Sequence, residues 1–162
     1  NAVIDAVVDA PASVAEEVAR YLRSDMLFYR AEGPAALARK QSQAWDPVLA
    51  WAREAFGTHF VLTEGLMHVS QPPESIDAAR GGVPSEAWRL AAVASITTLT
   101  GSALLALALA HSAIEPDAVW SAAHVDEDWQ MSQWGHDELA VERRAFRHGE
   151  FMAAVTGLKL AR

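Results

Sequence analysis

An uncharged stretch of 21 residues, from Leu90 to Ala110, constrains this chain more than any other feature of its sequence. Its length is that of a helix crossing a bilayer, so a membrane span has to be weighed against a buried helix. Serine, threonine and glycine interrupt its first half, only Ala103–Ala110 is uniformly apolar, and no basic cluster flanks it. Because a helix that is apolar on all sides must be buried, we predict one long core helix over about 85–110 in a soluble domain, with no integral membrane segment.

Composition limits the kinds of protein this chain can be. A length of 162 residues, 51% of them hydrophobic, is enough for one core, so we predict a mainly α, multi-helical single domain built around the long helix. The formal net charge of −8 argues against non-specific nucleic-acid binding, which needs basic surface. The absence of cysteine excludes a disulfide framework and a cysteine metal site.

Helix-start and helix-stop residues divide the first half of the chain. We predict a short helix within residues 1–10 and a second helix that Ser13 can cap. A third helix carries Gln41 and Trp45 on its packing face. Asp46-Pro47 reads as a restart, with aspartate as N-cap and proline at the first helical position, and Gly57 is predicted to end the helix that follows. Residues 59–70 have the only strand-like pattern, which predicts a short β pair. Residues 73–83, with two glycines, are predicted to be a flexible link.

The second half contains two further helices separated by a break at Gly135. On a helical wheel of residues 118–134, His124 and Asp128 face solvent, whereas Asp126 lies inside a wide apolar arc that includes Trp129. A polar group among apolar neighbours is costly without a partner, about 1–3 kcal/mol for an unmade hydrogen bond. Asp126 is therefore either bonded within the fold or a semi-exposed contact for another protein.

The last helix is predicted to cover residues 136–160, with Leu139, Phe146, Ala153 and Gly157 in its packing stripe. A band of charged side chains, including Arg143 and Arg147, runs beside that stripe.

Five motifs, spread in order over nearly the whole chain, together resemble one known family. They are Tyr21-Leu22-x-x-Asp25 with Tyr29-Arg30, Gln41-x-x-x-Trp45-Asp46-Pro47, Gly65-x-x-His68-x-x-Gln71-Pro72, Leu99-Thr100-Gly101-Ser102, and Ala122-Ala123-His124-x-Asp126-Glu127-x-Trp129-Gln130-x-x-x-Trp134-Gly135. The chain is similar to the ATP synthase assembly chaperones that handle the alpha subunit of the catalytic head (the ATP-twelve family). Gln41, Trp45, Asp46, Pro47, Gly101 and Gly135 are expected to be structural parts of these motifs.

This resemblance implies a non-enzymatic chaperone that binds the unassembled alpha subunit and prevents its aggregation until the beta subunit replaces it. It implies no cofactor, and a cytoplasmic location in an alphaproteobacterium-like source or the mitochondrial matrix in a eukaryote. Family members have a further N-terminal domain, so residues 1–162 are expected to correspond to the C-terminal part, acting as a monomer. The candidate partner-binding residues are Asp126, Glu127, Trp129, Gln130, Trp134, Asp137 and Glu138.

A metal-dependent helical enzyme is the alternative from a different class. His124, Glu127, Asp128 and His136 include ligand types at helical spacing. The wheel points His124 and Asp128 away from Glu127, however, and the sequence has neither the Glu-x-x-His pairs of a di-metal bundle nor His-Glu-x-x-His. No nucleophile elbow, Walker loop or Rossmann fingerprint is present either.

Overall fold

The structure of the protein is a computed structural model, which describes residues 10–160. Nearly all of the short helix predicted within residues 1–10 lies outside this part of the chain. The described part is mainly α, as the sequence predicts. In chain order its helices are α1 (Pro11–Tyr21), α2 (Ala35–Phe56), α3 (Pro73–Arg80), α4 (Ala87–Thr100), α5 (Ala103–Ala110), α6 (Pro116–Ala123), α7 (Val125–Trp134) and α8 (Glu138–Leu160).

The predicted long helix over 85–110 is two helices, and this prediction was wrong at its middle. Gly101 has φ +78°, a left-handed conformation that ends α4, and its amide donates to the Thr97 carbonyl. Ser102 then caps α5, because its hydroxyl accepts a hydrogen bond from the Leu105 amide. The prediction of burial is confirmed: every residue of α5 is buried. None of the helices in the described residues is long and apolar enough to span a membrane.

A buried carboxylate, that of Asp25, joins the segment after α1 to the start of α5. Asp25 follows α1 and is fully buried. One oxygen accepts from the Leu27 amide and caps a 3-10 turn over Met26–Phe28, and the other accepts from the Leu104 amide at 3.0 Å. The N-terminus of a helix carries unpaired amides and a partial positive charge, which a carboxylate satisfies. Asp25 thus holds α5 in place across the core.

Helix α2 is continuous through Asp46-Pro47, so the predicted restart there is wrong. Pro47 lies inside the 22-residue helix and is exposed. Tertiary contacts on both sides maintain the helix despite the missing amide, since Trp45 and Val48 are buried in the core. The helix ends where predicted, at Gly57, which has φ +74°.

The strand-like region contributes one strand and not a pair of its own. Thr63–Glu64 (β2) pairs in parallel with Tyr29–Arg30 (β1), which follows the 3-10 turn. Parallel pairing needs a long crossover, and α2 supplies it here. The predicted flexible link over 73–83 is also wrong in part, because Pro73–Arg80 forms α3 with proline at its first position.

Helix α8 packs on α4 through the C-terminal half of its length. Phe151, Val155 and Leu158 are its buried residues, and a Cβ placed on Gly157 would lie 3.9 Å from the Cβ of Ala92. The predicted stripe is wrong for Leu139, Phe146 and Ala153, which are exposed, and right for Gly157, which lies at the contact with α4. Leu139 and Phe146 are exposed because the N-terminal half of α8 extends past the core. One hydrophobic cluster nevertheless runs from Val18 to Leu158 and unites the described residues.

Candidate functional site

The segment of residues 116–134, which contains most of the fifth family motif, is broken at His124 into α6 and α7. His124 leaves the helical conformation, with φ −116° and ψ 18°. The break turns α7 relative to α6, so a single helical wheel assigns the wrong faces. His124 was predicted to face solvent and is 4% exposed, whereas Asp126 was predicted to lie in the apolar arc and is exposed.

His124 is built into the junction between α6, α7 and α8. Its Nδ1 lies 2.7 Å from the Trp120 carbonyl, and its ring is 4.1 Å from that of Trp120. The Arg147 guanidinium donates to Nε2 at 3.0 Å, which requires a neutral ring with its proton on Nδ1. Burial is the main reason that the pKa of His124 is lowered from its ordinary value, and the Arg144 and Arg147 charges add to the effect.

We expect His124 to make the protein less stable in mild acid. Because the folded state lowers the pKa of this base below its unfolded value of about 6.5, the unfolded state binds the proton more tightly. The stability contributed by neutral His124 is therefore present above that pH and lost as the pH falls below it. Urea unfolding at pH 7.5 and 5.5 measures this loss of unfolding free energy. The loss should be smaller in His124→Phe, which keeps a ring beside Trp120, than in the wild type. An identical loss in both proteins would contradict this expectation.

The four residues of the metal hypothesis do not form a common site. His124 Nε2 faces Arg147 and lies 3.9 Å from the nearer Glu127 oxygen, Asp128 binds Arg144, and exposed His136 follows the Gly135 break. Across residues 10–160, no three His, Asp or Glu side chains are arranged to hold a metal ion.

Asp126 is held at the surface by a buried glutamine. The Gln41 amide nitrogen donates to an Asp126 carboxylate oxygen at 2.7 Å, and the Gln41 amide oxygen accepts from the Ala31 amide at 2.8 Å. Gln41 is buried, so its two bonds are fully oriented by the fold. Asp126 is thus bonded within the molecule, as the first alternative expected, and is also exposed to solvent, while its role as a contact for another protein stays a prediction. Its partner is Gln41.

Trp45 and Asp46, on α2, make contacts that position α6 and β1. The Trp45 indole donates to the Ala122 carbonyl at the end of α6, at 2.7 Å. The Arg30 guanidinium lies 5.3 Å above the Trp45 ring and pairs with exposed Asp46 at 2.9 Å. These contacts set the position of α6 and β1 relative to α2, so the structural role predicted for this motif is consistent with the geometry.

A groove of about 500 Å³ lies between α2, α6 and α7. Exposed Lys40 and Asp128 line it from opposite sides, on α2 and α7. Its apolar lining includes half-buried Trp129 and small side chains that leave room for a guest group. These residues are Ala44, Pro47, Val48, Ala118, Val125 and Trp129.

The remaining candidate residues lie around the corner between α7 and α8. Gln130 is exposed on α7, and Trp134 at its end is 79% exposed. Gly135, with φ +78°, then turns the chain into α8. Asp137 accepts a hydrogen bond from the Leu139 amide and so helps to start α8, and Glu138 is exposed in its first turn.

The structure therefore brings the candidates together on neighbouring surfaces of α7 and the start of α8, with Glu127 half-buried beside His124. Sequence reasoning missed the groove, because its other lining residues come from α2 and α6. It also missed the exposed apolar pair Leu66 and Met67. The signal for that pair was its place between Gly65 and the prolines that follow, outside any regular apolar period.

Comparison with known proteins gives a consistent assignment. Residues 1–53 match the family model described as ATP12 chaperone protein. Among crystal structures, a candidate chaperone from Agrobacterium tumefaciens is 43% identical with a TM-score of 0.94, and the match covers 100% of this chain. Atp12 from Paracoccus denitrificans is 31% identical, also with a TM-score of 0.94 and full coverage of this chain. An aspartate-to-lysine mutant of the Paracoccus protein matches equally well.

The matches also show how much of each relative corresponds to this chain. The chain spans 61% of the Agrobacterium protein and 70% of the Paracoccus protein. The similarity to Paracoccus Atp12 extends from one end of this chain to the other, in sequence and in fold. On that ground, the chain belongs to the ATP12 chaperone family.

Proposed function

We propose that this chain is a non-enzymatic assembly chaperone that binds the unassembled alpha subunit of the ATP synthase catalytic head. It covers an interface of that subunit until the beta subunit takes its place. The observation that carries the proposal is the similarity to Atp12 from Paracoccus denitrificans, which covers 100% of this chain and 70% of that protein. We also propose that it acts as one copy per client, in the bacterial cytoplasm or the mitochondrial matrix. A complex with the mass of one copy of each chain, measured by sedimentation, would support this stoichiometry.

The surface of α7 has the chemistry that a releasable contact needs. Stable but exchangeable interfaces combine aromatic anchors with oriented polar groups and a solvent-accessible rim. Trp134 offers an exposed aromatic ring, and the groove beside Trp129 has room for large apolar client side chains. Asp126 offers a carboxylate whose position is set by buried Gln41.

Electrostatics favours a client surface that is polar or basic. The chain carries a formal net charge of −8, and Asp126, Asp128 and Glu138 lie on or beside the candidate surface. Complementary charge speeds the encounter of two proteins more than it changes the final affinity, and salt screens it. We therefore expect association with the client to be faster at low ionic strength.

The test is protection of isolated subunits from aggregation. The purified protein should suppress light scattering by the alpha subunit at near-stoichiometric amounts and leave aggregation of the beta subunit unchanged. The same experiment at two salt concentrations measures the electrostatic contribution to the association rate. Equal protection of both subunits would show a general holding activity and would refute the proposed client choice.

A further inference from the structure

The loop of residues 59–71 presents two large apolar side chains directly to solvent. Leu66 is 101% exposed and Met67 is 82% exposed, the two highest values among the large hydrophobic residues of the described range 10–160. We call these two residues the loop tip. Both ends of the loop are anchored, since Thr58 and Gln71 are buried. Exposed apolar side chains that lie together mark contact sites, whereas single ones do not.

Side-chain hydrogen bonds hold the base of the loop in one conformation. The Gln71 amide accepts from the Val61 amide at 2.7 Å and donates to the Val61 carbonyl at 2.8 Å, as a paired strand would. The Ser75 hydroxyl accepts from the His59 amide at 2.8 Å. The Phe60 ring stacks on that of buried Phe28, with 4.7 Å between centroids. The tip is therefore pre-positioned, which reduces the entropy lost on binding.

The turn that carries the tip is bonded to β1. The Gly65 amide donates to the Arg30 carbonyl at 2.9 Å. Gly65 has φ +87°, and a Cβ there would lie 2.8 Å from a Glu32 carboxylate oxygen. The positive φ at this turn favours glycine, whereas the exposed Glu32 side chain could move aside. On the other side of the tip, the Tyr29 hydroxyl and His68 Nδ1 lie 3.3 Å apart.

A short series of contacts connects the tip to Asp126. Leu66 follows Gly65, which is bonded to Arg30. The next residue, Ala31, donates its amide to Gln41, and Gln41 donates to Asp126. The tip and the α7 surface are thus joined through β1 and one buried side chain.

We propose that the loop tip, Leu66 and Met67, is a second anchor of the client-binding surface. It inserts into an apolar cleft of the alpha subunit that is exposed only before assembly. This inference rests on the proposed function, because it assigns a second contact to the same client. The polar contact at Asp126 and the apolar contact at the tip have complementary roles: the first orients the client and the second excludes water from the interface.

The experiment compares binding of purified alpha subunit to three versions of the protein. Leu66→Ser/Met67→Ser removes the apolar tip, and Trp88→Ser removes an exposed aromatic residue at the start of α4 as a matched control. All three should have the same melting temperature, since the altered side chains are exposed. We expect the tip variant to bind about 10- to 100-fold more weakly and the control to bind as the wild type does.

A photo-cross-linking residue at position 66 identifies what the tip touches. We expect a covalent product with the alpha subunit, and none with the same probe at position 88. Unchanged affinity of the tip variant, or a product joining two copies of this chain, would overturn the inference while the proposed function stands. If the wild-type protein does not bind the alpha subunit at all, both proposals fall.

Discussion

Replacing Asp25 with alanine is expected to lower the free energy of unfolding by about 3–5 kcal/mol. The change leaves the Leu27 and Leu104 amides without an acceptor in a region that excludes water. Each buried donor left unpaired costs about 1–3 kcal/mol. Urea unfolding monitored by circular dichroism measures the loss. Ser24→Ala is the matched control, because its side chain is exposed, and it should change stability by less than about 0.5 kcal/mol.

The size of this effect should depend on pH. Burial raises the pKa of Asp25 to about 6, against hydrogen bonds from Ser102, Leu104 and Leu27 that lower it. Since the folded value exceeds the unfolded one, stability from this group is fully present below about pH 4 and lost as the pH rises through 6. The difference in unfolding free energy between wild type and Asp25→Ala should therefore be larger by about 2 kcal/mol at pH 4.5 than at pH 7.5. Titratable groups that both proteins share contribute equally and cancel in this difference. A difference in unfolding free energy that is smaller at pH 4.5 than at pH 7.5 would contradict the expectation.

Asp126→Lys is expected to abolish assembly of ATP synthase without unfolding the chaperone. Removing the carboxylate leaves the amide of buried Gln41 without its acceptor, which should cost about 1–3 kcal/mol. That is less than the roughly 5–15 kcal/mol typical of a folded domain, so the protein should stay folded. At a client contact, the same change places a positive charge opposite the group that aspartate would bind. Asp126→Asn keeps the shape and removes the charge, so it should be less harmful. Melting temperature and rescue of assembly in a chaperone-deficient strain measure the two effects separately.

The control for this variant has to be an acidic residue away from the α7 surface. Asp128, two residues away on α7, is unsuitable because it pairs with Arg144 and lines the groove. Asp77→Lys is better matched, because Asp77 is exposed on α3. It should rescue assembly fully. An Asp126→Lys protein that keeps its melting temperature and also rescues assembly would refute the contact role.

The sequence was most informative where burial alone decides the structure. The uncharged stretch required a buried helix, and α5 is indeed buried on every side. Gly57 and Gly135 end helices as predicted, because glycine readily adopts the positive φ at which a helix ends, and a glycine is visible in the sequence. The mainly α class follows from the same two kinds of signal.

The errors arose where tertiary contacts outweigh local preference. Pro47 did not end α2, since burial of Trp45 and Val48 keeps both sides of it helical. A wheel assumes an unbroken helix, so the break at His124 exchanged the predicted environments of His124 and Asp126. The Gln41–Asp126 bond joins residues 85 positions apart, and no local pattern reports such a pair.

The packing of α8 on α4 has a consequence for synthesis of the protein itself. The residues that cover α4, Phe151, Val155 and Leu158, leave the ribosome about fifty residues after α4 does, an interval of a few seconds at 5–20 residues per second. Asp25, in contrast, has already been synthesised when α5 emerges, so the central helix can be capped at once. During that interval the nascent chain exposes an apolar helix face. The proposed chaperone would therefore itself expose apolar surface for a short time during its synthesis.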